Sequence, residues 1–271
     1  MRLHLPGIAA LALLAAGTAG AARADGRLEA RYRMSVAGIV IGQSEIGAVI
    51  GSTDYASSAR GRASGVLRVL VTGEGSVSAR GAVVDGRLVP ASFASRTVGD
   101  DETATVTMTL AGGDVKELSA ETSAPDATRV PVTADDRRGI VDPLTAFLIA
   151  VGGDGDVIGP QACGRSLPIF DGRRRYDLAL AFKRVERVKA DKGYAGAAVV
   201  CAVAFTAIAG YRPDSALVKY LAGGRDIELT LAPIAGTRLL APFRLAIMNM
   251  LGDIVIEATA FETTATPAAP K

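Results

Sequence analysis

Two cysteines, Cys163 and Cys201, and one histidine, His4, are the chain's whole stock of thiol and imidazole. The spacing excludes a C-x-x-C redox centre, and a zinc site would need more Cys or His ligands. The start of the chain decides which role is left. After Arg2 and His4, an unbroken apolar run from Ile8 to Ala16 is too short to cross a bilayer, and Ala22-Arg23-Ala24 places small residues where a signal peptidase reads. This predicts a secretory leader over 1–24, cleaved after Ala24, and a periplasmic mature protein. In an oxidising compartment two cysteines usually pair, so the expectation is a structural Cys163–Cys201 disulfide. Free thiols, or a redox or metal role, are the alternatives. His4 leaves with the leader, which removes the base that Ser-His-Asp and Cys-His sites require.

Other catalytic signatures fail on inspection. There is no G-x-S-x-G elbow. Gly73-Glu74-Gly75 begins a dinucleotide fingerprint, but Ser78 stands at its last glycine. Asp154 and Asp156 in "GGDGDVIG" resemble calcium ligands without the closing Glu. No cofactor or metal is therefore expected. Any catalysis would rest on Asp, Glu, Lys, Tyr or Ser, so a carboxylate-based hydrolase acting on envelope glycan is the alternative to a non-enzymatic role.

Charge is balanced. The chain has 30 Lys+Arg and 28 Asp+Glu, and losing Arg2 and Arg23 with the leader brings the two signs level. Nothing global steers the protein to nucleic acid or an anionic membrane. Locally, Arg173 to Lys192 carries eight basic residues against Asp177, Glu186 and Asp191. The consecutive Arg173, Arg174 and Arg175 form a candidate anion or partner patch, with a solvated hairpin as the bland reading. Few aromatics interleave, which argues against single-stranded nucleic acid.

The elements that must carry these residues read as strands. In "TATVTMTL", 103–110, four threonines take one face, and Ala104, Val106, Met108 and Leu110 take the other. The same period of two puts Leu28, Ala30, Tyr32, Met34 and Val36 on one face, and likewise Tyr176, Leu178, Leu180 and Phe182, and Ile227, Leu229 and Leu231. Residues 197–208 are apolar on both faces and predict a covered central strand holding Cys201. Asp-Gly turns at 85–86 and 171–172 punctuate the runs. Thr133 and Asp136 resemble a capping box. Asp142 and Pro143 start a short helix over 143–151, and Asp214 caps a second, ending at Gly223.

Together these features predict an all-β protein: a curved antiparallel sheet, incomplete β-barrel or β-spiral with one or two short helices. A single domain over 25–262 and a disordered tail over 263–271 complete the expected organisation. No later stretch is long and apolar enough to cross a membrane as a helix.

The blocks "ASGVLRVLVTGEGSVSARG" (63–81), "TRVPVTADDRRGIVDPLTAFL" (128–148), "CGRSLPIFDGRRRYDLALAFKR" (163–184) and "IAGYRPDSALVKYLAGGRDIELTLAPI" (208–234) resemble the periplasmic family called domain of unknown function 3108. The resemblance covers about residues 28–261 and implies an exported all-β envelope protein, with no known catalytic motif. In size and paired cysteines the chain is also similar to exported envelope-integrity proteins that form a β-spiral.

The functional expectation is a non-enzymatic β-scaffold that binds a lipid-like ligand or an envelope partner. The candidate apolar groove is lined by Met108, Leu144, Phe147, Leu148, Leu180 and Phe182, and Arg173, Arg174 and Arg175 meet an anionic headgroup at its mouth.

Overall fold

The computed structural model describes residues 25–64, 73–99, 103–122, 126–223, 226–248 and 252–266. The expected leader and residues 267–271 of the expected tail lie outside the described residues.

Strands dominate because alternation dominates. In β1 (Asp25–Val36), Leu28, Ala30 and Tyr32 are buried between exposed Arg27, Glu29, Arg31 and Arg33. Six more strands follow as an antiparallel meander: β2 (Ile39–Ile50), β3 (Asp54–Ala63), β4 (Gly73–Val84), β5 (Arg87–Gly99), β6 (Thr103–Ala111) and β7 (Asp114–Thr122). At the β4–β5 turn, Asp85 and Gly86 both take positive φ (50° and 73°), the backbone that a two-residue primed turn demands.

The second half contains β8 (Ile149–Ala150), β9 (Arg165–Phe170), β10 (Arg175–Lys189), β11 (Lys192–Gly193), β12 (Ala195–Ala209), β13 (Ile227–Pro233), β14 (Leu239–Ile247) and β15 (Ile254–Thr266). All fifteen join one sheet in the order β7-β6-β5-β4-β3-β2-β1-β15-β14-β13-β12-β10-β9, with β8 beside β14 and β11 beside β15. The two halves meet where β1 pairs with β15, from Asp25↔Thr266 to Val36↔Ile254. Residues 263–266, expected in a disordered tail, are therefore strand, because their backbone groups find partners at the start of β1.

The sheet does not close, since β7 and β9 never pair. A coil at 139–141 bridges them. Gly139 N donates to Asp114 Oδ1 and Ile140 N to Gly113 O, while Val141 N donates to Pro168 O and Phe170 N to Val141 O. The result is a spiral whose interior holds three apolar clusters. One lies between β1–β3 and β13–β15. A second surrounds the disulfide between β10, β12, β13 and β14. The third lies under β4–β7, where Phe170 and Leu144 reach Phe93, Val106 and Met108.

The helices are shorter than expected. α1 (Pro143–Ala146) ends before 151 because Ile149 and Ala150 pair with Leu240 and Leu239 of β14. α2 (Ala216–Ala222) is capped by Ser215, whose Oγ accepts from Val218 N, rather than by Asp214. The Thr133–Asp136 box forms as read: Asp136 accepts from Thr133 N and Oγ1 at 2.8 and 2.7 Å. Burial on both faces of β12 is confined to Ala198–Cys201. Beyond Val203 the strand alternates, with Ala204, Thr206 and Ile208 exposed.

Candidate functional site

Cys163 and Cys201 are bonded, with Cα atoms 5.8 Å apart. The bridge ties the coil after β8 to the centre of β12, amid Ile149, Val199, Leu231 and Leu240. Both sulfurs are buried in apolar packing, the setting of an inert structural bridge. Arg165 secures the same coil by donating to Ala150 O and Gln161 O.

The three consecutive arginines sit at the β9–β10 turn, where Asp171 Oδ1 accepts from the backbone N–H groups of Arg173 and Arg174. Arg174 lies 6.0 Å over the Tyr211 ring and 3.7 Å from Asp171. Arg175 is largely buried, donating to Tyr176 O and to Asp177 Oδ1 at 2.5 Å. Arg174 and Arg175 are thus committed to neighbours rather than projecting as a cationic patch.

The candidate apolar groove does not assemble. Met108 and Leu144 belong to the cluster under β4–β7, Phe147 and Leu148 to that between the two halves, and Leu180 to that around the disulfide. Phe182, expected inward, is 42% exposed. It keeps the face of Leu180, since it still pairs with Cys201, but it lies beyond the cover of β9: pairing of β10 with β9 stops at Leu180↔Arg165, and a bulge follows in the β10–β12 register between Phe182 and Arg184.

That bulge builds an ion cluster which alternation alone hides. Lys183 and Arg184, adjacent in sequence, both reach Glu228 on β13. Arg184 grips it with two nitrogens at 2.9 and 2.8 Å, and Lys183 Nζ lies at 2.7 Å. Glu228 is 4% exposed, and the Arg184 guanidinium, with help from Lys183, holds its carboxyl down at about 2. A carboxylate so tightly ion-paired braces three strands and makes a poor proton donor.

A second buried polar chain joins α1 to β3. Asp142 caps the helix, accepting from Leu144 N and Thr145 N, and its Oδ2 accepts from Thr145 Oγ1 at 2.5 Å. Since that bond uses the threonine proton, Tyr55 donates to Thr145 across 2.6 Å. Burial pushes the Asp142 carboxyl up, while its hydrogen bonds pull the other way. All three residues are sealed from solvent, so the chain positions a helix and meets no substrate.

The accessible concavities lie elsewhere, on the polar outer face of the meander. One, of about 900 Å³, crosses from β15 to β6. Two smaller grooves, of about 480 and 470 Å³, adjoin on the same face. Register lays the outward side chains in one row across the strands: Arg31↔Glu45, Glu45↔Arg60, Arg60↔Ser76, Ser76↔Arg96, Arg96↔Thr105. Glu45 leans toward Arg31, at 3.9 Å. The residues of this row were not among the candidates read from the sequence. Their only local signal is the recurrence of arginine at exposed positions of strands, because row membership depends on register between strands. Among the described residues no group of three or more His, Cys, Asp or Glu is placed to hold a metal.

A family model described as "Protein of unknown function (DUF3108)" matches residues 31–259. No curated protein matches the chain. Among solved structures, the chain is similar to a β-barrel-like protein of domain of unknown function DUF1849 from Brucella abortus, at 10% identity and TM-score 0.46. That alignment covers 89% of this chain and 98% of the other. It is also similar to a proposed lipoprotein from Parabacteroides distasonis, at 8% identity and TM-score 0.31, over 89% of this chain and 96% of the other.

Proposed function

The chain belongs to the DUF3108 family of proteins of unknown function, and on that premise we propose that it is an exported, non-enzymatic β-scaffold that binds an envelope component. The leader signature ending at Ala24 and the Cys163–Cys201 bridge support a periplasmic location, because disulfides persist in oxidising compartments. The observation that carries the binding role is the placement of three grooves on one outer face, where exposed polar and charged side chains such as Glu45, Arg60, Ser78 and Arg96 line them. Of the two occupants expected from sequence, a polar envelope partner fits better than an acyl chain, because the apolar candidates Met108, Leu144, Leu148 and Leu180 are buried in three separate clusters.

Filling the groove tests this. Ser58 and Ser78 are exposed cross-strand partners on its floor. A Ser58→Tyr/Ser78→Tyr variant should fold normally and lose a component that co-purifies with the wild type in native mass spectrometry of periplasmic extract. The same adduct on both proteins, or on neither, overturns the reading.

The alternative, a carboxylate-based hydrolase of envelope glycan, draws on Glu29 and Glu262, direct cross-strand partners at one end of the groove. Each already has a cation: Arg27 at 2.6 Å from Glu29, and Lys192 at 3.1 Å from Glu262. Glycan cleavage that disappears in Glu29→Gln/Glu262→Gln would establish it.

A further inference from the structure

We infer that the outer groove is a seat for an extended anionic glycan, whose carboxylate or phosphate groups are gripped by Arg60 and Arg96 on either side of Ser76. The inference rests on the binding role proposed for this face and names its ligand class.

Its basis is where these residues stand. Ser76 on β4 is the cross-strand partner of both Arg60 on β3 and Arg96 on β5. Strands lie about 4.8 Å apart, so the two arginines are rooted about 10 Å apart over one small hydroxyl. That span suits two long guanidinium side chains closing on an anion held above the serine. The row also marks the junction of the 900 and 480 Å³ grooves: Glu45, Arg60, Ser76 and Arg96 line both.

Both arginines are exposed, and no carboxylate among the described residues pairs with either. Glu45, the acid nearest to Arg60 in register, is turned to Arg31 instead. Arg62, without an ion pair among the described residues, adds a third arginine to the second groove, where its cross-strand partner Glu74 and Glu45 are the acids.

The shape and lining choose among anions. The main groove spans seven strands, from β15 to β6, a length of about 30 Å. That length suits a chain-like ligand laid across the strands. Alongside the arginine row runs a row of small and hydroxyl residues, with Ser58, Ser78 and Thr107 in successive registers with Gly47 and Ala94. Hydroxyls next to guanidiniums suit a sugar chain that carries both hydroxyl and acidic groups. Neither of these two grooves is lined by an aromatic ring, so the aromatic platforms that bind single-stranded nucleic acid are missing there.

The test is calorimetric titration of the mature protein with an oligogalacturonate, a neutral dextran of equal length, and phosphatidylglycerol vesicles. Wild type should bind the oligogalacturonate and neither of the others, and binding should weaken as salt is raised. Arg60→Gln/Arg96→Gln should weaken binding by about tenfold or more with an unchanged melting temperature. Glu45→Gln should tighten it by roughly two- to fivefold, the opposite sign at an adjacent position. No binding of the oligogalacturonate, equal binding of the dextran, binding only to vesicles, or affinities within twofold across the three proteins overturns the inference. If Ser58→Tyr/Ser78→Tyr abolishes binding while the arginine variant does not, the groove remains the binding face and the anion seat is wrong.

Discussion

At the scale of single residues, Glu228 and Asp142 show how one residue type takes opposite electrostatic roles. Glu228 is held down at about 2 from an ordinary 4.5 by Arg184 and Lys183. Its folded value is depressed, so its contribution is present above about pH 4.5 and is lost as pH falls from 4.5 toward 2. Both cations are partly exposed, which screens the pair. On that basis Glu228→Gln should cost about 2 kcal/mol at pH 7. It should also flatten the acid limb of the stability curve, read by urea melts from pH 7 to pH 2.5. Equal acid sensitivity in variant and wild type would contradict the assignment. Asp142 has the reverse sign: burial raises it, so its contribution belongs to the protonated form and declines as pH rises. It is nonetheless needed, because Asp142→Ala strands Leu144 N, Thr145 N and Thr145 Oγ1 without their acceptor. A loss of about 2–4 kcal/mol in chemical denaturation is expected.

At the scale of elements, the disulfide and the β10 bulge each resolve a question of placement. The bridge closes a loop of sequence separation 38, which on the chain-entropy model stabilises the fold by about 4 kcal/mol. Cys201→Ser should lower stability by a few kcal/mol and expose the 151–164 coil to hydrogen exchange, with β1–β7 unchanged. Protection of that coil without the bridge would show that Arg165 and the apolar contacts suffice. The end of β9 leaves Phe182 uncovered, and the bulge after it brings Lys183 and Arg184 together on Glu228. A strict period of two predicts neither, because it shows neither where a neighbouring strand stops nor where an inserted residue resets the alternation.

At the scale of the whole molecule, the open sheet depends on the coil at 139–141, whose three backbone bonds and Asp114 contact span the gap between β7 and β9. Val141→Pro deletes the donor to Pro168 O. Amides near 113–114 and 168–170 should then exchange faster, while the β1–β15 seam stays protected. Unchanged exchange at the gap would mean that core contacts of Phe170 with Val106 and Met108 hold the spiral without the coil.

The sequence by itself was enough for what is local in the chain. Alternation marked the strands, Asp85-Gly86 the hairpin and Asp142-Pro143 the helix start, because side-chain direction, turn φ and capping depend on near neighbours. Family and all-β class were readable for the same reason, from blocks of contiguous residues. The bridge was readable on another ground, that a chain with two cysteines and an export signature has one pairing to make. Register and closure were decided only by tertiary structure. The division of Met108, Phe147 and Leu180 among three clusters, the exposure of Phe182, and the alignment of Arg60, Ser76 and Arg96 all depend on which strands lie side by side. Pairing of that kind joins residues far apart in sequence, and a one-residue slip would send each of them to the other face.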